Sequence, residues 1–133
     1  MKGLSSHARD LQSLLDHVLV RVRDLRAIQL VDRDGLPLVS TLGAGALDEA
    51  LGAIAGGLLF QCDRARRECD TGPLHIVHLV ARDRQIVLSP VTDEIVLIAI
   101  ADAGATTTTL ERHLFALSRD ILSLVVGQPE PTT

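Results

Sequence analysis

Apolar positions recur along the chain in two rhythms, one helical and one strand-like, and together they divide it into eight elements. Leu11, Leu14, Leu15, Val18, Leu19 and Val22 fall at helical spacing, with Arg9, Asp16, Arg21 and Arg23 elsewhere. That pattern predicts a one-sided helix from a cap at Ser5 or Ser6 to about Asp24. Two short apolar runs follow, Ala27 to Val31 and Leu36 to Ser40, separated by Asp32-Arg33-Asp34-Gly35. They read as a hairpin with Gly35 at a positive φ, and Pro37 sends the second strand to a sheet edge because it cannot donate to a ladder. Ala46 to Cys69 is a long helical stretch. Leu74 to Ala81, Gln85 to Ser89 and Ile95 to Ala101 read as three further strands, with a break at Ser89-Pro90 and a turn at Thr92-Asp93. The last of these runs is apolar without alternation, as expected for a central strand covered on both faces. Thr108 and Glu111 form a capping-box pair that starts a last helix near Thr109 and runs it to Gly127.

The order α-β-β-α-β-β-β-α predicts an α+β domain. Its five-stranded, mostly antiparallel sheet has helices on both faces and edges at the second and third strands. Residues 1–126 make one domain and residues 127–133 a tail. The domain is organised around the 46–69 helix. At about 100° per residue, Leu47, Leu51, Ile54, Leu58, Cys62, Ala65 and Cys69 share one stripe, which is expected to meet the core. The other side carries Gly52, Ala53, Gly56, Gly57 and Phe60 where a solvated helix would carry charge. Each interior glycine costs roughly 0.5–1 kcal/mol against alanine, so close approach of another backbone is the expected compensation. That backbone belongs either to a helix of a second chain or to a second layer of the same domain.

Composition narrows the function classes. The chain is 47% hydrophobic and 23% charged, enough for a real core, but only 2% aromatic, so that core is aliphatic. A net charge of −4 and the near absence of stacking rings exclude a nucleic-acid platform and give no attraction to acidic membranes. No apolar run is long enough to span a bilayer and no secretory signal opens the chain, so a cytoplasmic protein is expected. Cys62 and Cys69 lie about 10.5 Å apart along one helix, too far for a disulfide, and are expected as free, buried thiols.

Candidate chemistry is sparse. There is no phosphate-binding loop, and the glycines do not follow a strand as a dinucleotide site needs. His75 and His78 point to opposite faces of a strand and do not converge on a metal. The cysteines lack zinc spacing and sit on an apolar stripe, and no carboxylate pair is placed for acid–base work. No cofactor and no catalytic residue is expected. Arg64, Arg66 and Arg67 form a basic patch at the end of the long helix.

The element order resembles the Roadblock / dynein light-chain family. So do the hairpin with Asp34-Gly35, the small-residue central helix and the strand end Pro90-Val91-Thr92-Asp93. The resemblance runs from about Leu11 to Val126 and is nearest the bacterial stand-alone type that partners the Ras-like GTPase of gliding motility and cell polarity. It implies a homodimer in which central helices pair and third strands join the sheets. Glu49, Gly52, Ala53, Gly56, Gly57, Phe60, Arg64, Ile76, Val77 and His78 would then form the interface. An antiparallel crossing at Gly56-Gly57 would set Glu49 opposite Arg64 of the second copy. The resemblance also implies a surface for a small GTPase, assigned to Glu49, Asp63, Arg64 and Arg67, and stimulation of GTP hydrolysis without an arginine finger.

The expected function is therefore a non-catalytic regulator or scaffold for a Ras-like GTPase. An adaptor for another Roadblock protein or a polarity factor is the alternative within the family. A small-molecule sensor with a pocket between sheet and helix, or a thiol enzyme with an accessible cysteine, are the alternatives from other classes.

Overall fold

The computed structural model describes residues 7–43 and 45–126. The elements are α1 (Ala8–Arg21), β1 (Leu25–Asp32), β2 (Pro37–Ser40), α2 (Ala46–Cys69), β3 (Val77–Val80), β4 (Arg84–Pro90), β5 (Ile95–Asp102) and α3 (Thr107–Val126). The strands form one sheet in the order β2-β1-β5-β4-β3. Every pairing is antiparallel, so the sheet is wholly rather than mostly so. β5 is central and β2 and β3 are the edges, as the apolar run and Pro37 predict.

Two cores lie back to back on the sheet. On one face α1 and α3 press Leu11, Leu15, Val18, Leu110, Leu114, Leu117 and Ile121 against Ile28, Leu30, Leu97 and Ala99. On the other, α2 lays Leu51 and Ala55 over Val31, Leu88, Val96 and Ile98. β5 feeds both cores from alternate positions, which is why its sequence shows no polar face.

Several boundaries move, each for a local reason. The first helix stops at Arg21, because Val22 is already extended. Its expected caps, Ser5 and Ser6, lie outside the described residues, as do Gly127 and the 127–133 tail. β3 is four residues rather than eight, and His75 precedes it. Pro90 does not break the β4–β5 ladder but ends it, paired with Val96, while the β3 ladder stops at Leu88. The last helix begins two residues early, and Thr106 rather than Thr108 caps it, its Oγ1 accepting the Thr109 N–H at 3.3 Å.

Asp32 builds the β1–β2 hairpin. Its Oδ1 accepts the N–H groups of Asp34 and Leu36 at 2.9 and 3.0 Å, and Gly35 takes φ 89° at the tip. That tip sits against α2. A Cβ on Gly52 would collide with the Gly35 carbonyl oxygen, and one on Gly56 would lie 3.1 Å from the Asp34 carbonyl oxygen. Gly52 and Gly56 are thus glycines because their own hairpin approaches there. The close backbone at Gly52 and Gly56 is therefore a second layer of the same domain, which corrects its assignment at these two positions to a helix of a second chain. Gly57 faces open space.

Candidate functional site: the outer face of the central helix and the β3 edge

The helix α2 presents its core side at Leu51, Gly52 and Ala55, with Asp48 buried in the first turn. Asp48 is tied down by Gln29 of β1, whose Nε2 donates to the Asp48 carbonyl oxygen at 2.8 Å and also to its carboxylate. With this side fixed, the expected core stripe splits. Leu51 is buried and Leu58 and Cys62 are half-buried, whereas Leu47, Ile54, Ala65 and Cys69 are exposed. Leu47 is 64% exposed, Ile54 63% and Phe60 64%. Ala50, Ala53 and Gly57 are exposed with them. The outward side of α2 is therefore an apolar, small-residue face with Glu49 near one end and Arg64 near the other, both exposed.

On the same side of the sheet, Val77, Ile86 and Ile100 pack only partly under α2. β3 then ends the sheet with Leu79 and Val80 exposed, Val80 at 72%. Ile76 is half-buried against the other core. His78 is held by a specific arrangement. The Gln85 Nε2 donates to the carbonyls of Asp102 and Ala105 at 2.9 and 2.8 Å, which leaves its Oε1 as acceptor for His78 Nε2 at 2.6 Å. The proton therefore sits on Nε2, and His78 pins β3 to β4 instead of awaiting a metal. Among the described residues no three His, Cys, Asp or Glu side chains converge as a metal site.

A second feature lies at the far end of α2. A cleft of about 340 Å³ is lined by Arg33 and Asp34 of the hairpin, Phe60, Asp63, Arg66 and Arg67 of α2, and Asp93 of the β4–β5 turn. Arg66 Nε donates to Asp63 Oδ1 at 2.7 Å, and Arg67 binds the second oxygen. Those guanidiniums, Arg66 first, hold the Asp63 carboxyl below its usual range against the opposing effect of burial. Arg33 donates to the Asp93 carbonyl at 2.9 Å. Of the four residues assigned to a partner, Asp63 and Arg67 therefore meet in one cleft. Glu49 lies about 22 Å from Arg64 along the helix, at 1.5 Å per residue. A separate groove of about 420 Å³ runs between α3 and the residues before β3, walled by Leu74, Ile76, Phe115 and Leu122.

Leu47, Ile54, Leu79 and Val80 are the site residues that sequence reasoning placed elsewhere or did not single out. Their only signal is apolarity, which reads the same for a core and for an interface. The cysteines are both free, Cys62 half-buried and Cys69 exposed, where two buried thiols were expected. Among the described residues no helix is long and apolar enough to cross a membrane.

A five-stranded antiparallel sheet with one helix on one face and two on the other defines the profilin-like α+β class. Within it, residues 11–101 match the Roadblock/LC7 domain, and the chain belongs to that family. The chain is similar to the Roadblock/LC7 domain of Streptomyces avermitilis at 20% identity, covering 83% of this chain and 92% of that one, with a TM-score of 0.74. It is similar to the gliding protein MglB of Thermus thermophilus at 14% identity, over 91% and 92% of the two chains, with a TM-score of 0.77. Schizosaccharomyces pombe profilin shares the fold at 15% identity and a TM-score of 0.62, over 89% and 99%. No curated protein sequence matches the chain.

Proposed function

We propose that this protein is a non-catalytic, homodimeric regulator or scaffold for a Ras-like small GTPase. The observation that carries the dimer is the coincidence of an apolar outer face on α2 with an open apolar β3 edge. Leu47, Ile54 and Phe60 of the helix and Leu79 and Val80 of the strand are large apolar side chains left exposed, as residues of an interaction surface are. Pairing of two copies about a two-fold axis would cover both parts at once. The interface then comprises Leu47, Glu49, Ala53, Ile54, Gly57, Phe60 and Arg64 of the helix with Val77, His78, Leu79 and Val80 of the strand. The GTPase reading rests on membership of the Roadblock/LC7 family and on likeness to a gliding-motility protein. The cleft at Arg33, Asp63 and Arg67 is the polar surface such a partner would meet, beside the paired helices. Stimulation of hydrolysis would come from reshaping the GTPase, with no arginine inserted at the nucleotide.

Two measurements test this. Light scattering should give twice the chain mass for the parent and the chain mass for Ile54→Glu, which places a charge in the buried seam. Purified protein should turn over no GTP alone, while capturing a candidate GTPase in one nucleotide state and altering its turnover. A parent that stays monomeric, or GTP turnover by the protein itself, would overturn the reading.

A further inference from the structure

The two edges of this sheet are finished differently. At β2, Pro37 opens the strand with no N–H to offer. Thr41 N–H donates inward to the Ile28 carbonyl at 2.9 Å, so the Ser40 carbonyl before it faces outward. That outward acceptor is already taken. Gln12 reaches down from α1 and donates its Nε2 to the Ser40 oxygen at 2.9 Å. The same amide is steadied one turn along by Asp16 Oδ1 at 3.2 Å. Beyond Ser40 the chain cannot continue the edge, because the Ser40 hydroxyl accepts the Leu42 N–H at 2.9 Å and turns it away. The rim there is a recess of about 280 Å³ between Gln12, Pro37, Ser40 and Asp48, not a flat ribbon. β3 is equally short but carries none of this. Its four residues, Val77–Val80, include no proline, and among the described residues no side chain bonds to its backbone. Length therefore does not distinguish the edges, whereas capping does.

We propose that Gln12 and Pro37 guard the β2 edge, so that the sheet admits another strand at β3 alone and assembly stops at a closed pair. The β3 half of this rests on the dimer reading above. A pair joined through β3 leaves a β2 edge at each end of the doubled sheet. If those edges could also pair, alternating β3 and β2 contacts would extend without closing, and the product would be a fibre. An incoming strand needs the Ser40 carbonyl as an acceptor and a donor near position 37. The guard occupies the first and deletes the second. The partner excluded is thus a second copy of this chain, or any extended peptide seeking a sheet edge.

The test is the mass of the full chain across a wide concentration range. Gln12→Leu removes the donor at similar volume, and Pro37→Thr restores an N–H. The Gln12→Leu variant, and more strongly the double variant, should form species at least twice the parent mass that reverse on dilution and keep the parent's circular dichroism. Gln12→Arg keeps a donor on a long stem and should stay at the parent mass. Should Pro37→Thr fail to fold, Gln12→Leu alone decides, since Gln12 is only half-buried on a helix surface. The parent mass reports on the dimer reading, and the increase on removing the guard reports on this one. A monomeric parent whose Gln12→Leu form pairs would sink the former and support the latter. Folded variants that keep the parent mass throughout, or heavier species that appear only with lost circular dichroism, would overturn the guard.

Discussion

Single residues in this protein are chosen mostly by how close two backbones come. Gly35 and Gly52 face each other across the hairpin–helix contact, and a Cβ on either would enter the other's carbonyl group. Gly52→Ala should therefore lower stability by about 1–3 kcal/mol through overpacking, and the loss should appear in a denaturant melt. Gly57→Ala is the control. Its Cβ would meet nothing within 4 Å, so it should stabilise α2 by roughly 0.5–1 kcal/mol. Equal losses from the two substitutions would mean that the close approach is not what selects glycine. Asp102 is the other telling residue. It accepts hydrogen bonds from Arg26 Nε and Nη2 at 2.6 and 2.8 Å, with Arg84 at 3.6 Å, and so ties the ends of β1, β5 and β4. The hydrogen bond from Arg26 holds its carboxyl below the usual range. A depressed folded-state value means stability that is present above the unfolded-state pKa and lost as pH falls through the folded one. Asp102→Asn should thus lower the melting temperature slightly at neutral pH, with the gap closing in strong acid. A gap that widens in acid would contradict the assignment.

At the scale of elements, the two edge strands and the long helix decide what the surface can do. Val80 is exposed and contributes little to either core, so Val80→Lys should leave the monomer's melt unchanged. A lysine on an edge strand resists strand addition, and the same substitution should raise the dissociation constant of the pair, read by sedimentation. An unaltered constant would move the interface away from β3. The helix shows how far the sequence could be read at this scale. Its limits, Ala46 and Cys69, follow from the apolar period, the acidic first turn and the Asp70-Thr71-Gly72-Pro73 stop. Its rotation does not. Two apolar stripes compete on one helix, and periodicity assigns the longer one, through Leu47 and Ile54, to the core. The glycines decide otherwise, because only their side of α2 can come close enough to the hairpin tip. That places Leu51 and Ala55 inward and turns Leu47 and Ile54 out.

At the scale of the whole molecule, one sheet holds two cores. Ile98 points into the α2 side and Leu117 comes from α3 on the other, and both are essentially fully buried. Because β5 contributes to each side, neither layer has a floor without the other. Ile98→Ala and Leu117→Ala should each cost about 2–5 kcal/mol, and both should shift the same single transition, followed by far-UV circular dichroism and by calorimetry. Separate transitions for the two variants would show that the layers unfold independently.

The sequence by itself determined the number, order and kind of elements, the central place of β5, the edge position of β2 and the family. Those follow from period, turn residues and proline, which act over a few neighbours and leave their mark in a short window. It also carried the presence of a surplus apolar stripe and of glycines needing a close neighbour. What only the tertiary structure decided is which backbone that neighbour is, which stripe of α2 is left bare, and that Gln12 reaches the Ser40 carbonyl while the β3 edge stays open. These depend on how α2 and α1 are set down on the sheet. Residues 28 positions apart meet there through packing, and no local pattern in the chain records that meeting.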